Sequence, residues 1–393
     1  MFYPNTLTPN TFKLLANSCD RLLGIFLFLT VCFTTIAAQT SAYVVRQANA
    51  NEVVAIDTST NLILTTFSSG GDGSFRIDAN PNGDSVYVAN VGSQDISVID
   101  TATNTVASTI PVGVFPTDVA FNPDGTQAYV TGFSFNLVVV IDATTNSVID
   151  TIPVQLSINV AVSPDGEFAY VTTLANGGTL AVIDTATNTV VESLALGGEP
   201  QAVAFSPTKD IAYVTELLGA RVFVIDTNSH SLITTISVGE FPAGVVVTPD
   251  GSLVYVTNGL GNSVSVIDAS DNSVIATIPV GLFPIGIDIT PDGRFVYVTN
   301  INAGTVSVID TQSNTVVTTI TVGGVLGGIT IAPPTSPTSI EQCKQGGYLR
   351  FRNPVFKNQG QCVKFVNDRI RHRLAAAQFK IVTVRPVSAF SRS

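Results

Sequence analysis

Residues equipped for chemistry are scarce in this 393-residue chain, and the scarcity narrows what it can do. There are two histidines, His230 and His372, four cysteines and no tryptophan. Two histidines so far apart cannot form an imidazole cage for zinc or copper. Gly259-Leu260-Gly261 opens like a dinucleotide loop, but Val264 stands where the third glycine is needed. No Gly-x-Ser-x-Gly elbow occurs. Without tryptophan there is no indole on which a quinone or sugar could stack. Neither a cofactor nor a metal centre is expected. What remains is one arginine among acids and an amide: Arg76, Asp78, Asp118, Asn159 and Asp288. Such a set can hold an anionic or carbonyl group, with the guanidinium donating and the acids orienting it.

These residues recur at related places in a repeat. Tyr-Val stands at Tyr43, Tyr87, Tyr129, Tyr170, Tyr213, Tyr255 and Tyr297. Ile-Asp ends at Asp57, Asp100, Asp142, Asp184, Asp226, Asp268 and Asp310, a period of 42 or 43 residues. A fixed period of this size means stacked or radially arranged supersecondary units. Each unit reads as four short strands rich in Val, Ile, Thr, Tyr and Phe. Pro-Asp-Gly and Asp-Thr-x-x-Asn turns separate them, where Asp and Asn bond their own backbone. No helical period survives between residues 41 and 334. Seven such units predict an all-β fold, a seven-bladed β-propeller.

Tyr255-Val256-Thr257-Asn258 and Tyr297-Val298-Thr299-Asn300 are intact copies of one motif, with decayed copies at Tyr87 and Tyr213. Together with Ser163-Pro164-Asp165-Gly166 and the Val-Ile-Asp-Thr strand ends, they make the chain resemble the YVTN-repeat β-propellers. That group is similar to surface-layer propellers and to the β-chain of quinoprotein amine dehydrogenase. The resemblance spans roughly residues 42–334 and speaks for fold more than activity. It implies that the strand entering Pro-Asp-Gly is innermost. Here that strand comes last in each unit. The final strand, before Pro333, should therefore complete the blade begun by the first strand after residue 41, which closes the ring.

Placed on innermost strands, the polar set lines one end of a central channel. The equivalent positions elsewhere are mostly Ala, Gly or Val, because seven strands converge there. One reading makes the set solvated channel groups, with Arg76 paired to a neighbouring Asp. The sharper reading makes it a ligand site. The same mouth carries Phe115-Pro116, Glu199-Pro200, Phe241-Pro242 and Phe283-Pro284, with Glu216, Arg221 and Glu240 on neighbouring loops. Phe-Pro can be blade-to-blade packing or an aromatic rim for recognition.

The ends differ from the repeat. Lys13 and Arg21 precede an apolar run over residues 22–38 that ends in Ala37-Ala38. That order reads as a signal peptide over 1–38, and so as secretion or cell-surface display, with no transmembrane segment in the mature chain. Residues 335–340 read as a Pro/Ser/Thr linker. Residues 341–366 hold Cys343 and Cys362, suited to one disulfide in an oxidising compartment. Residues 367–393 form a basic tail, expected to be disordered. Between 41 and 334 stand five basic residues and 26 acidic ones, net −21; from 341 to 393 the net charge is +9. No nucleic acid is expected at so acidic a propeller.

The expected function is an exported, non-catalytic propeller that binds a protein, matrix or cell-envelope ligand. Two alternatives stay open. One is a propeller enzyme of lactonase or quinoprotein-like type with its site at the channel mouth. The other is a polyanion or nucleic-acid binder acting through the basic tail.

Overall fold

The structure is a computed structural model describing residues 40–47, 51–334 and 364. These all fall within the unit Ala37–Ser393. The expected signal peptide, the linker, the Cys343–Cys362 bridge and the basic tail lie outside the described residues.

Seven four-stranded antiparallel sheets form the expected propeller. Blade 1 runs, from the inside out, Val325–Ala332, Ser41–Gln47, Asn51–Asp57 and Leu62–Ser68. Blades 2 to 7 begin at the inner strands Ser74–Ala79, Pro116–Phe121, Ser157–Val162, Pro200–Phe205, Pro242–Val247 and Pro284–Ile289. Each continues outward as a meander. Closure is as the strand order predicts: Ser41 lies opposite Ala332 and Gln47 opposite Val325.

The repeat motif is a set of couplings between blades. The core is built from side chains of adjacent sheets; Tyr87 and Val98 of blade 2 pack with Val119 and Phe121 of blade 3. The buried tyrosines bury most of their ring, and their hydroxyls need partners. Tyr43 donates to Asn104 Oδ1 at 2.9 Å, Tyr255 to Asn314 at 2.6 Å and Tyr297 to Asn61 at 2.6 Å. Each acceptor is the Asn of the next blade's outer hairpin. That Asn is left-handed, with φ of 54° at Asn104, a conformation Asn tolerates well. The hairpin's Asp fixes the turn: Asp100 Oδ1 accepts the amides of Ala102 and Thr103 at 2.9 and 2.8 Å. His230 replaces Asn in blade 5 and meets Tyr170 at 2.6 Å. At the next junction the clasp is not made. The buried Tyr213 hydroxyl and Asn272 Oδ1 both lack a partner.

The threonine of the motif reaches inward. Thr172, Thr215, Thr257 and Thr299 donate to the next inner strand at the carbonyls of Gln201 (2.6 Å), Ala243 (2.9 Å), Ile285 (3.1 Å) and Gly327 (2.9 Å). The asparagine serves its own blade: Asn258 Nδ2 donates to Ser263 and Ser265, and Asn300 Nδ2 to Thr305 and Ser307.

Candidate functional site: the channel mouth

Inner strands are sheet edges, so some of their amides have no partner within the sheet and must find one elsewhere. That requirement explains most of the polar residues in the channel. Asp78 Oδ2 accepts the Phe121 amide of blade 3 at 2.9 Å. Asp118 accepts the Val160 amide at 3.2 Å and the Asn159 side chain. Asn159 Oδ1 accepts the Val203 amide at 3.0 Å. Asp288 Oδ2 accepts the Ile331 amide at 2.6 Å, and Thr330 accepts the Ala79 amide at 3.1 Å. Val45 and Ala89 occupy the motif's threonine position in blades 1 and 2. At the junctions that follow, Thr330 and Asp78 supply a link instead. Of the polar residues that stand among the small ones, all but Arg76 are thus staples between blades.

The staples carry an electrostatic cost. Burial pushes the Asp118 and Asp288 carboxyls up to about 6. Burial, with Asp288 and Asp118 as charged neighbours, pushes Asp78 up to about 8, against the pull of the Phe121 amide. Desolvation outweighs these amide bonds because the ring surrounds the groups with protein.

Arg76, Asp78, Asp118, Asn159 and Asp288 line one central cavity of about 320 Å³. The structure thus brings the predicted set together. It does not pair Arg76. The ion pairs among the described residues are Arg46–Glu52, Arg221–Glu216 and Arg294–Asp310, at 2.5, 3.3 and 3.8 Å. The acids near Arg76 are turned to backbone amides instead. Its charge still lowers Asp118 against the larger effect of burial. The guanidinium carbon lies 5.4 Å from the centre of the Phe75 ring. Phe75 is a channel-mouth residue that sequence reasoning passed over; its only signal was its place beside Arg76.

The rim differs in detail from the expectation. Phe241 and Phe283, which precede adjacent inner strands, pack together with centroids 5.5 Å apart. Phe115 packs on Phe135 at 5.6 Å. Both Phe-Pro readings therefore hold in part: the rings pack, yet Phe133 and Phe135 stay 37% and 47% exposed. Phe241 and Phe283 have φ of 61° and 57°, a strained conformation for a bulky side chain. Glu216 is not presented on the loop face as expected. Its side chain is buried, paired to Arg221, and accepts the amides of Glu199 and Leu218 at 3.0 and 3.2 Å. It occupies the motif's Asn position. Glu199 is half-buried, and Glu240 is exposed.

Leu218, Leu260, Leu282 and Val325 are also exposed, at 69%, 58%, 57% and 48%. Each sits on a connection at the end of the blade where inner strands begin, or at the first residue of one. The opposite face is built from the Asp-rich turns. No group of three or more His, Cys, Asp and Glu among the described residues is arranged to hold a metal ion. No helix among them is long and apolar enough to cross a membrane.

A family model described as lactonase, 7-bladed β-propeller, matches residues 159–325. That stretch includes Asn159 and Asp288 but stops short of Arg76, Asp78 and Asp118. No curated protein is significantly similar to the chain. Among solved structures, hydrazine synthase of Kuenenia stuttgartiensis is 22% identical with a TM-score of 0.63, over 67% of this chain and 91% of that one. A functionally unknown protein from Desulfotomaculum acetoxidans is 20% identical with a TM-score of 0.67, over 75% of this chain and 99% of that one. Likeness at this level establishes the seven-bladed fold and leaves activity to the site itself.

Proposed function

We propose that the protein is an exported binding propeller whose recognition site is the channel mouth. The carrying observation is Arg76, a guanidinium inside the ring with no hydrogen bond or ion pair to the described protein. Charges largely enclosed by protein are ordinarily paired, so the half-buried Arg76, unpaired and facing the cavity, suits a ligand's negative end. The neighbouring acids are engaged by amides, which leaves them poorly placed as free catalytic bases. Thermal-shift measurements with small anions test this reading. Stabilisation by an anion should disappear in Arg76→Gln. If no anion stabilises the protein, or the variant responds equally, the recognition site is elsewhere.

A second reading is hydrolysis of a cyclic ester at the same mouth, favoured by the match to the lactonase propellers over residues 159–325. It predicts proton release on mixing with lactones, reduced at least tenfold in Asp118→Asn. Export itself is tested by N-terminal sequencing of the mature protein, which should begin near residue 39.

A further inference from the structure

Building on the mouth as the recognition site, we propose that its ligand is an amphiphilic monocarboxylate, held by Arg76 at the head and by an apolar rim along the tail. Three observations define this class. The first is charge. The cavity offers one unpaired cation, Arg76, beside Asp78, Asp118 and Asp288. A single negative charge matches the one guanidinium, whereas a dianion such as a phosphate monoester would bring a second charge that no cation offsets in front of the Asp118 and Asp288 carboxyls. The raised Asp78 carboxyl supports this, because near neutrality it holds a proton it can donate to a ligand oxygen. The second is shape. A planar carboxylate accepts two parallel N–H bonds from a guanidinium, and about 320 Å³ is at the small end of ligand cavities, enough for a head group.

The third is the rim nearest to Arg76. Blades 1 and 2 approach closely there. A Cβ placed on Gly328 would stand 3.3 Å from the Arg76 Cα, and one on Gly327 would stand 2.5 Å from the Phe75 carbonyl oxygen. The strand carrying these glycines begins at Val325, which is 48% exposed. Phe75 lies beside the guanidinium; further round the mouth, Leu282 precedes the inner strand of blade 7, and the Phe241–Phe283 pair precedes the inner strands of blades 6 and 7. Exposed apolar residues at a cavity entrance mark a surface that binding would cover. A fully hydrophilic anion would use Arg76 and leave this rim in water. A ligand with an apolar body uses both.

Titration calorimetry on the full chain tests the class. The probes are decanoate, acetate and decyltrimethylammonium, each below its aggregation concentration. Decanoate should bind with 1:1 stoichiometry, at least a hundredfold more tightly than acetate, and the cationic amphiphile should not bind. Arg76→Gln should weaken decanoate at least tenfold. Leu282→Ser with Val325→Thr, both at exposed sites, remove apolar surface without adding charge and should weaken decanoate at least tenfold and leave acetate unchanged. Thermal melts of the variants verify that each is folded. If acetate binds as tightly as decanoate and depends on Arg76, the mouth remains the recognition site and the amphiphile class is wrong. The class is equally wrong if acetate binds through Arg76 while decanoate does not bind. If Arg76→Gln leaves decanoate binding intact, or neither acid binds, both the class and the mouth reading fall.

Discussion

The Asp288 staple makes a pH-dependent prediction about stability. Its carboxyl accepts the amides of Ile289 at 2.7 Å and Ile331 at 2.6 Å, and the second of these ties blade 7 to the closing blade. Burial raises it from an ordinary 3.8 to about 6. Between those values the folded protein holds a proton that the unfolded chain has released, so stability falls as pH rises through that window. A difference of this size corresponds to about 3 kcal/mol. Asp288→Asn removes the ionisation and with it this loss. The variant also keeps an acceptor for only one of the two amides, and leaving the other unpaired costs about 1–3 kcal/mol. The variant should therefore be less stable than the parent at pH 4 and roughly level with it at pH 8. Urea unfolding at the two pH values measures both. Asp78, which the Asp288 charge helps to raise, titrates lower in the variant and widens the difference in the same direction. Parallel stability curves for parent and variant would refute the argument.

The tyrosine clasps predict a contrast between equivalent positions. Tyr255→Phe deprives Asn314 of its donor and should cost about 1 kcal/mol, whereas Tyr213→Phe removes a buried hydroxyl that has no partner and should be neutral or stabilising in the same unfolding assay. Thr299→Val leaves the Gly327 carbonyl without its donor and should cost about 1–3 kcal/mol. Removing residues 325–334 leaves blade 1 with three strands and an open inner edge. That truncation should lower the melting temperature and promote association by light scattering, and unchanged melting would refute closure. If the protein is exported, Cys343 and Cys362 should be bonded, and thiol labelling of secreted protein should find neither free.

Blade number, strand order and closure were legible because each repeat states its own strands and turns, and the first and last strands are visibly displaced within it. The clasps were not. Tyr43 and Asn104 stand 61 residues apart, more than one full repeat. Periodicity shows that both recur; it does not show that one meets the next copy of the other. The channel set was legible as a departure from Ala and Gly. Its roles were misjudged because composition pairs Arg76 with an acid. Edge amides such as those of Phe121, Val160 and Ile331 compete for the same carboxylates, and they are invisible in a sequence because every residue but proline has one. Glu216 misled for a related reason. An acid on a predicted loop reads as exposed, yet here it fills the position of a buried Asn and brings Arg221 with it.

The way blade 1 is assembled has a consequence for synthesis. Its inner strand, Val325–Ala332, pairs with Ser41–Gln47, the earliest of the described strands to be made. Blades 2 to 7 can each complete their hydrogen bonding as they emerge from the ribosome. Blade 1 cannot. Its exposed edge must wait for nearly 280 further residues before the strand that covers it exists. Contacts that span so much chain form late and slowly, and an uncovered strand edge is the surface on which incomplete chains associate. A ribosome that stalls between Ser68 and Val325 therefore leaves a three-stranded sheet with an open edge, and synthesis of that one strand decides whether the ring forms at all.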